Sequence, residues 1–164
     1  MSTATANWKR QGFGTLTPRL TFKDSVKAVE FYEKAFGAKR GMMSKGPNGK
    51  TMHAEVQIGD SMLMLVDEFP EMGSHAPAEG QTAPCSVMLY FENVDAGFDK
   101  AVAAGCTVRM PVADMFWGDR YGVVIDPFGY VWELGTHKED LTEAQIAERA
   151  AEAFKNMPGC PGNK

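Results

Sequence analysis

The chain has no long apolar run, little cysteine and no surplus of positive charge, and each shortage removes a class of function. Without about 20 consecutive apolar residues no spanning helix is expected, and the N-terminal MSTATANWKRQG, which lacks an apolar h-region, predicts no signal peptide. Three cysteines, Cys85, Cys106 and Cys160, make an odd number without metal-type spacing, so reduced thiols in a cytoplasmic protein are expected. A formal net charge of -4 offers no basic field to hold nucleic acid or an anionic membrane. GxGxxG, phosphate-loop and GxSxG patterns are absent, as is any Cys-His pair at a recognisable spacing. What is present, 164 residues at 44% hydrophobic and 23% charged, is an ordinary globular composition sized for one domain, or two small ones sharing a core.

The organising stretch is Trp117 to His137, WGDRYGVVIDPFGYVWELGTH. Tyr121, Val123 and Ile125 are strand formers, Asp126-Pro127-Phe128-Gly129 is turn chemistry, and Tyr130 to Leu134 resumes alternation. Side chains alternate along a strand, so Val131, Glu133 and Gly135 share one face, and a carboxylate is set among residues that favour burial.

From the start, residues 1–12 read as a loose tail, and Thr15 to Phe22 as a strand with Leu16, Leu20 and Phe22 on its apolar side. Asp24 caps a helix carrying Val26, Val29, Tyr32 and Phe36, which Gly37 ends. Two strands follow the Gly46-Pro47-Asn48-Gly49 turn. In one, Met52, Ala54, Val56 and Ile58 oppose His53, Glu55 and Gln57; in the other, Leu63 and Leu65 oppose Met62, Met64 and Val66. The first module spans 13–68, and 69–84, rich in Pro, Gly and Ala, reads as a linker or flexible lid. The pattern restarts in a second module, 85–137: a strand from Cys85 to Phe91, a helix capped by Asn93 and closed by Gly105, then two or three strands. Phe22 with Phe91, Asp24 with Asn93 and Leu65 with Leu134 all stand 69 positions apart, an internal duplication. A capping box, Thr142 with Gln145, opens a C-terminal helix within 138–157 bearing Ile146, Ala150, Ala153, Phe154 and Met157, expected to dock on the body or on a partner subunit. Residues 158–164 read as a second tail.

These residues carry a family resemblance. Tandem βαβββ modules with FKDSVKAVEFYEKAFGA in the first and FWGDRYGVVIDPFGYVWELGTHKED closing the second resemble the vicinal oxygen chelate superfamily, which includes glyoxalase I, bleomycin-resistance proteins, extradiol dioxygenases and fosfomycin-resistance enzymes. HAE, IGDS, WGDRYG and the THKED end are similar to its PhnB-like, glyoxalase/bleomycin-resistance branch. The resemblance implies an α+β fold, a single domain over 13–137 whose modules curl around a cup, plus the C-terminal helix. A divalent metal (Zn, Ni, Mn or Fe) often sits at the centre of that cup. The family's ligand positions fall on Thr17, Met64, Ser86 and Glu133, of which only Glu133 suits a hard divalent ion. No cofactor is therefore certain.

If the polar faces line the cup, its wall holds Thr15, Thr17, Arg19, Thr21, His53, Glu55, Gln57, Met62, Met64, Ser86, Met88, Tyr90 and Glu133. Arg19 is either the anchor for a carboxylate or phosphonate, making the ligand anionic, or a salt-bridge partner of Glu133 or Glu55. Glu133, desolvated and unpaired, would serve as a general base; paired with Arg19 it would be structural. His53 is an acid/base partner, a contributor with Glu133 and Glu55 to a displaced metal site, or a half-exposed strand histidine. Met62, Met64 and Met88 offer an adaptable wall, and Phe116 and Trp117 either close the mouth by stacking or simply pack. His137 is expected to fix the start of the C-terminal helix, His75 to be solvated, and Asp119 with Arg120 to form a local ion pair.

Two function classes follow: a homodimeric binding protein for a small drug-like or metabolite ligand, using Arg19, Tyr90 and the methionine wall, or a lyase, isomerase or dioxygenase-like enzyme using Glu133 and His53. An interaction domain with a vestigial cup is the third.

Overall fold

The computed structural model describes residues 7–155, so the expectations for Met157, Cys160 and the outermost parts of both tails lie outside the described residues. The chain divides between Gln81 and Thr82 into two compact units.

The first unit runs β1 (Arg19–Phe22), α1 (Ser25–Phe36), β2 (Lys39–Lys45), β3 (Thr51–Ile58) and β4 (Ser61–Asp67). Its sheet is ordered β1-β4-β3-β2, with β1 parallel to β4 and the other neighbours antiparallel. Asp24 accepts the Lys27 amide at 3.1 Å and Gly37 takes the left-handed φ of 67°, so α1 begins and ends at the predicted residues. Its buried side, Ala28, Val29, Tyr32, Ala35 and Phe36, packs against Leu20, Phe22, Ala54, Val56, Leu63 and Leu65. Each large apolar side chain so buried contributes roughly 1.5–3 kcal/mol. Asp67 fixes the corner. One carboxylate oxygen accepts the Ser25 amide (2.8 Å) and hydroxyl (2.7 Å), and the other accepts the Thr51 amide (2.7 Å).

The second unit runs β5 (Ser86–Tyr90), α2 (Val94–Ala104), β6 (Thr107–Asp114), β7 (Asp119–Ile125), β8 (Val131–His137) and α3 (Glu143–Lys155). Its sheet, β5-β8-β7-β6, has the same parallel and antiparallel pattern. Asn93 caps α2 by accepting the Ala96 amide at 3.2 Å. The helix sits close because two positions lack a Cβ: one at Gly97 would lie 2.9 Å from the Phe91 ring, and one at Gly122 2.9 Å from Phe98. In the predicted turn the Gly129 amide donates to the Asp126 carbonyl (3.1 Å), while the buried Asp126 carboxylate accepts from the amides of Phe128 and Tyr130 and from the Trp132 indole, each at 2.9 Å. The Thr142–Gln145 capping box forms, with the Thr142 amide donating to Oε1 of Gln145 at 2.9 Å.

Two expectations, the start of the first strand and the Asp119–Arg120 pair, need correction, and two others gain detail. The first strand starts at Arg19 rather than Thr15: Thr15 and Leu16 lie in a bend, and Leu16 is 89% exposed. Residues 69–84 are not wholly loose, since Phe69 is buried and leads into a 3-10 turn over Pro70–Met72. The C-terminal helix docks thinly: none of its residues is buried, and Phe154 meets Phe116 edge-on at 5.5 Å while staying 42% exposed. The predicted Asp119–Arg120 pair is absent because strand neighbours point to opposite faces. Arg120 instead clamps Asp95 at the start of α2 through two bonds of 2.6 and 2.7 Å and reaches Asp114 at 3.2 Å.

Candidate functional site

In each unit one face of the sheet carries the unit's α1 or α2, and the other face holds the predicted polar residues except Thr15 and Thr17, which lie before β1. On the second unit the helix-free face reads in rows fixed by strand register. Met88, Glu133 and Val123 form one row, Tyr90, Gly135 and Tyr121 the next, and His137 and Asp119 the last. Gly135 leaves the space that the Met88 methyl fills: an added Cβ would lie 2.6 Å from that methyl, which the flexible Met88 side chain would have to vacate.

Glu133 is oriented by one hydroxyl and neighboured by another. Ser86 donates to its Oε1 at 2.6 Å, and the Tyr121 phenol on β7 lies near enough for its proton to be held by the Glu133 charge. Burial, reinforced by the Glu133 charge, pushes the Tyr121 phenol up to about 12, so the proton stays on the tyrosine. The Tyr121 ring meets Trp117 edge-on at 5.4 Å, and Trp117 meets Phe116 at 4.9 Å. Trp117 is held in turn by Asp119, a buried carboxylate that accepts its indole N–H at 3.2 Å, a long bond from Tyr90 at 3.5 Å, and His137 Nδ1 at 2.7 Å. His137 Nε2 reaches Asp140 at 3.0 Å, so this histidine ties the end of β8 to the approach of α3. The bonds to Asp119 and Asp140 raise its pKa.

On the first unit the corresponding row is Arg19, Met64 and Glu55. Glu55 is 4% exposed, and its charge is matched within the unit: Arg10 donates to both carboxylate oxygens and His53 Nε2 lies 2.6 Å from Oε1. Burial alone would raise the Glu55 carboxyl, but the His53 and Arg10 bonds outweigh it and hold it low. Gly41 leaves room for this carboxylate, since a Cβ there would lie 3.1 Å from that of Glu55. The expected Arg19–Glu55 bridge is therefore corrected. Met64's strand lies between them, two strand spacings or about 10 Å, and the guanidinium on Glu55 comes from the segment read as a loose tail. Arg19 is exposed. His75 is exposed, as expected.

Of the four expected metal positions, Thr17 donates its hydroxyl to the Gly14 carbonyl (3.1 Å), Ser86 donates to Glu133, and Met64 offers a thioether. Neutral hydroxyls and a soft thioether are poor ligands for a hard divalent ion, so these residues do not fit one. Among the described residues no group of three or more His, Cys, Asp or Glu side chains converges as a metal site.

Sequence reasoning named Glu133, Ser86, Met88, Tyr90 and Trp117, which the second unit gathers on one face, and His53 with Glu55, which the first unit pairs. It passed over Arg10, Tyr121 and Asp119. Pairing the two halves of the organising stretch about its turn would have set Tyr121 beside the Glu133 face; no local signal marks Arg10, whose partner is 45 positions away.

A family model described as the Glyoxalase/Bleomycin resistance protein/Dioxygenase superfamily matches residues 14–134. An uncharacterized protein of Mycobacterium bovis is 42% identical over 134 residues, covering 80% of this chain and 88% of that one. Among solved structures, TioX from Micromonospora superposes with a TM-score of 0.60 at 26% identity, over 76% of this chain and 98% of that one. A PhnB protein from Bacillus cereus gives a TM-score of 0.59 at 20% identity, over 75% and 99%.

Proposed function

The chain belongs to the glyoxalase/bleomycin resistance protein/dioxygenase superfamily, and we propose that it binds a small organic molecule in a cup whose wall includes the helix-free face of β5, β8 and β7. Glu133 carries this reading. It is a carboxylate aimed by Ser86, with the Tyr121 phenol beside it, on a face otherwise lined by Met88 and Tyr90, the latter 65% exposed, and it forms no ion pair among the described residues. A few fixed polar groups among apolar and aromatic side chains are what small-molecule sites need. On the first unit, Arg19, exposed at the start of β1, offers a cation suited to an anionic ligand. The PhnB-like branch, homodimeric assembly and a cytoplasmic location, where the free thiols of Cys85 and Cys106 would stay reduced, belong to the same proposal.

One observation favours a second reading. His53 held at 2.6 Å by the buried Glu55 is the arrangement of an oriented imidazole base, which suits metal-free proton transfer. Screening a fragment library by chemical-shift perturbation on the labelled full chain tests the first reading. It expects responses at Ser86, Met88, Tyr90, Tyr121 and Glu133; responses confined to other surfaces would overturn it.

A further inference from the structure

Each unit places one glutamate on its helix-free face, and the two differ in what satisfies them. Glu55 takes its cation from its own unit. The Arg10 guanidinium donates to both oxygens and lies over the Phe13 ring, 4.6 Å from its centre, so a planar cation sits between a carboxylate and an aromatic face. Glu133 has a similar arrangement with no ion-pair partner within 4 Å among the described residues. Ser86 donates a neutral hydroxyl to it, the Tyr121 phenol stands beside it, and Arg109 reaches that phenol by charge without bonding to Glu133. The Tyr121 ring is held edge-on by Trp117, whose indole is pinned at 3.2 Å by Asp119, so little side-chain freedom would be lost when a ligand arrives. Asp119 does not need the ligand's charge, because His137 meets it at 2.7 Å, yet it adds negative potential to the same face.

We infer that Glu133 receives a protonated amine, amidine or guanidinium group of the ligand, with the Tyr121 ring beside it, as Glu55 receives Arg10; the inference rests on the small-molecule reading above. A ligand bringing only negative charge to this face would meet the Glu133 carboxylate, which has no ion-pair partner among the described residues.

Benzamidine, benzamide and benzoate share one ring and carry charges of about +1, 0 and −1 near neutrality, so titrating each into labelled full chain isolates the charge. Benzamidine is expected to shift the Ser86, Tyr121 and Trp117 signals with a Kd about tenfold below that of benzamide, the size of one partly desolvated ion pair with a ring contact. Glu133→Gln should reduce benzamidine to about the benzamide level, removing the selectivity between the two. Raising the salt concentration on the wild-type chain should weaken benzamidine alone, which gives a readout free of any folding defect in the variant. Equal affinity for benzamide or benzoate at this face, or selectivity retained in Glu133→Gln, would overturn the charge assignment and leave the binding reading standing. If none of the three probes shifts the face, both fail together.

Discussion

Leu20 pairs with Leu65 in the first unit and Leu89 with Leu134 in the second, and three of the four pairs of the short β1–β4 ladder recur in register 69 positions on. The helix caps Asp24 and Asn93 keep the same interval, as do the corner ties: the Ser25 amide donates to Asp67, and the Val94 amide to Thr136, both at 2.8 Å. On the helix-free faces the likeness ends. The row Arg19, Met64, Glu55 becomes Met88, Glu133, Val123, so the acid moves from β3 in one unit to the last strand in the other, and from an internally paired charge to one held by a hydroxyl. The helix side of each sheet is bound by packing and by helix ends that must be satisfied. The other side has no such constraint, and there the units diverge.

The frame can be broken most severely at the corner. Asp67→Ala would leave three buried donors, two on Ser25 and one on Thr51, without an acceptor, a loss of about 3–4 kcal/mol. Its counterpart Thr136→Val removes the acceptor of one amide and a hydroxyl bond to the Phe91 carbonyl, and should cost about 1–2 kcal/mol. Urea unfolding of the two variants measures the difference; equal losses would mean that the corners are energetic as well as geometric equivalents.

A milder change sharpens the contrast between the two acids. Arg10→Ala leaves Glu55 with His53 alone, at a cost of about 1–2 kcal/mol, and vacates a carboxylate beside the Phe13 ring. Benzamidine should then gain a second site in the first unit, reported by the His53 ring signals. If no second site is seen, the Arg10–Glu55 pair is a poor guide to what Glu133 takes.

The frame was legible because its signals are local: a cap residue, a helical stripe, a glycine stop, and the Asp126–Gly129 turn can each be read within one element. The 69-residue interval then linked one half to the other. β2 escaped because KRGMMSK is nearly all exposed and does not alternate. The site was half legible for the same reason. Alternation put Glu133, Ser86 and Met88 on one face, but which donor reaches which acid depends on strand order. Arg19 was named for Glu55 because it shares its face; the intervening strand makes the pair too wide, and Arg10 arrives from a segment with no pattern.

The two faces should also respond to pH in opposite senses. Glu55 has a lowered carboxyl pKa, so the folded chain binds fewer protons than the unfolded one around that value. Its contribution is fully present above the unfolded value of about 4.3 and is lost as pH falls through the lower folded one. His137 has a raised pKa, so its contribution is fully present below about 6.5 and is lost as pH rises through the higher folded value. Thermal unfolding from acid to mild alkali should show Glu55→Gln flattening the acid limb and His137→Gln the alkaline limb. An acid limb unchanged in Glu55→Gln would remove the first unit's internal pairing as the source of the difference.

The smallest effect is the most selective. Tyr121 and His53 hold like places, each two residues before the residue that completes its row, and each leans on a carboxylate: His53 on Glu55 of its own strand, Tyr121 on Glu133 of the next. Tyr121→Phe keeps the ring that meets Trp117 and removes only the phenol donor, so stability should change by no more than about 1 kcal/mol. Glu133 would still accept from Ser86 but would lose the neighbouring phenol dipole, and benzamidine should bind about threefold more weakly, a fraction of one hydrogen bond's net worth. His53→Phe should leave benzamidine unaffected, because Arg10 still meets Glu55 and the imidazole serves only the first unit's internal pair. Titration of both variants separates the roles: equal weakening would mean that the first unit's acid takes part in binding, and that the division between an occupied carboxylate and a receptive one is wrong.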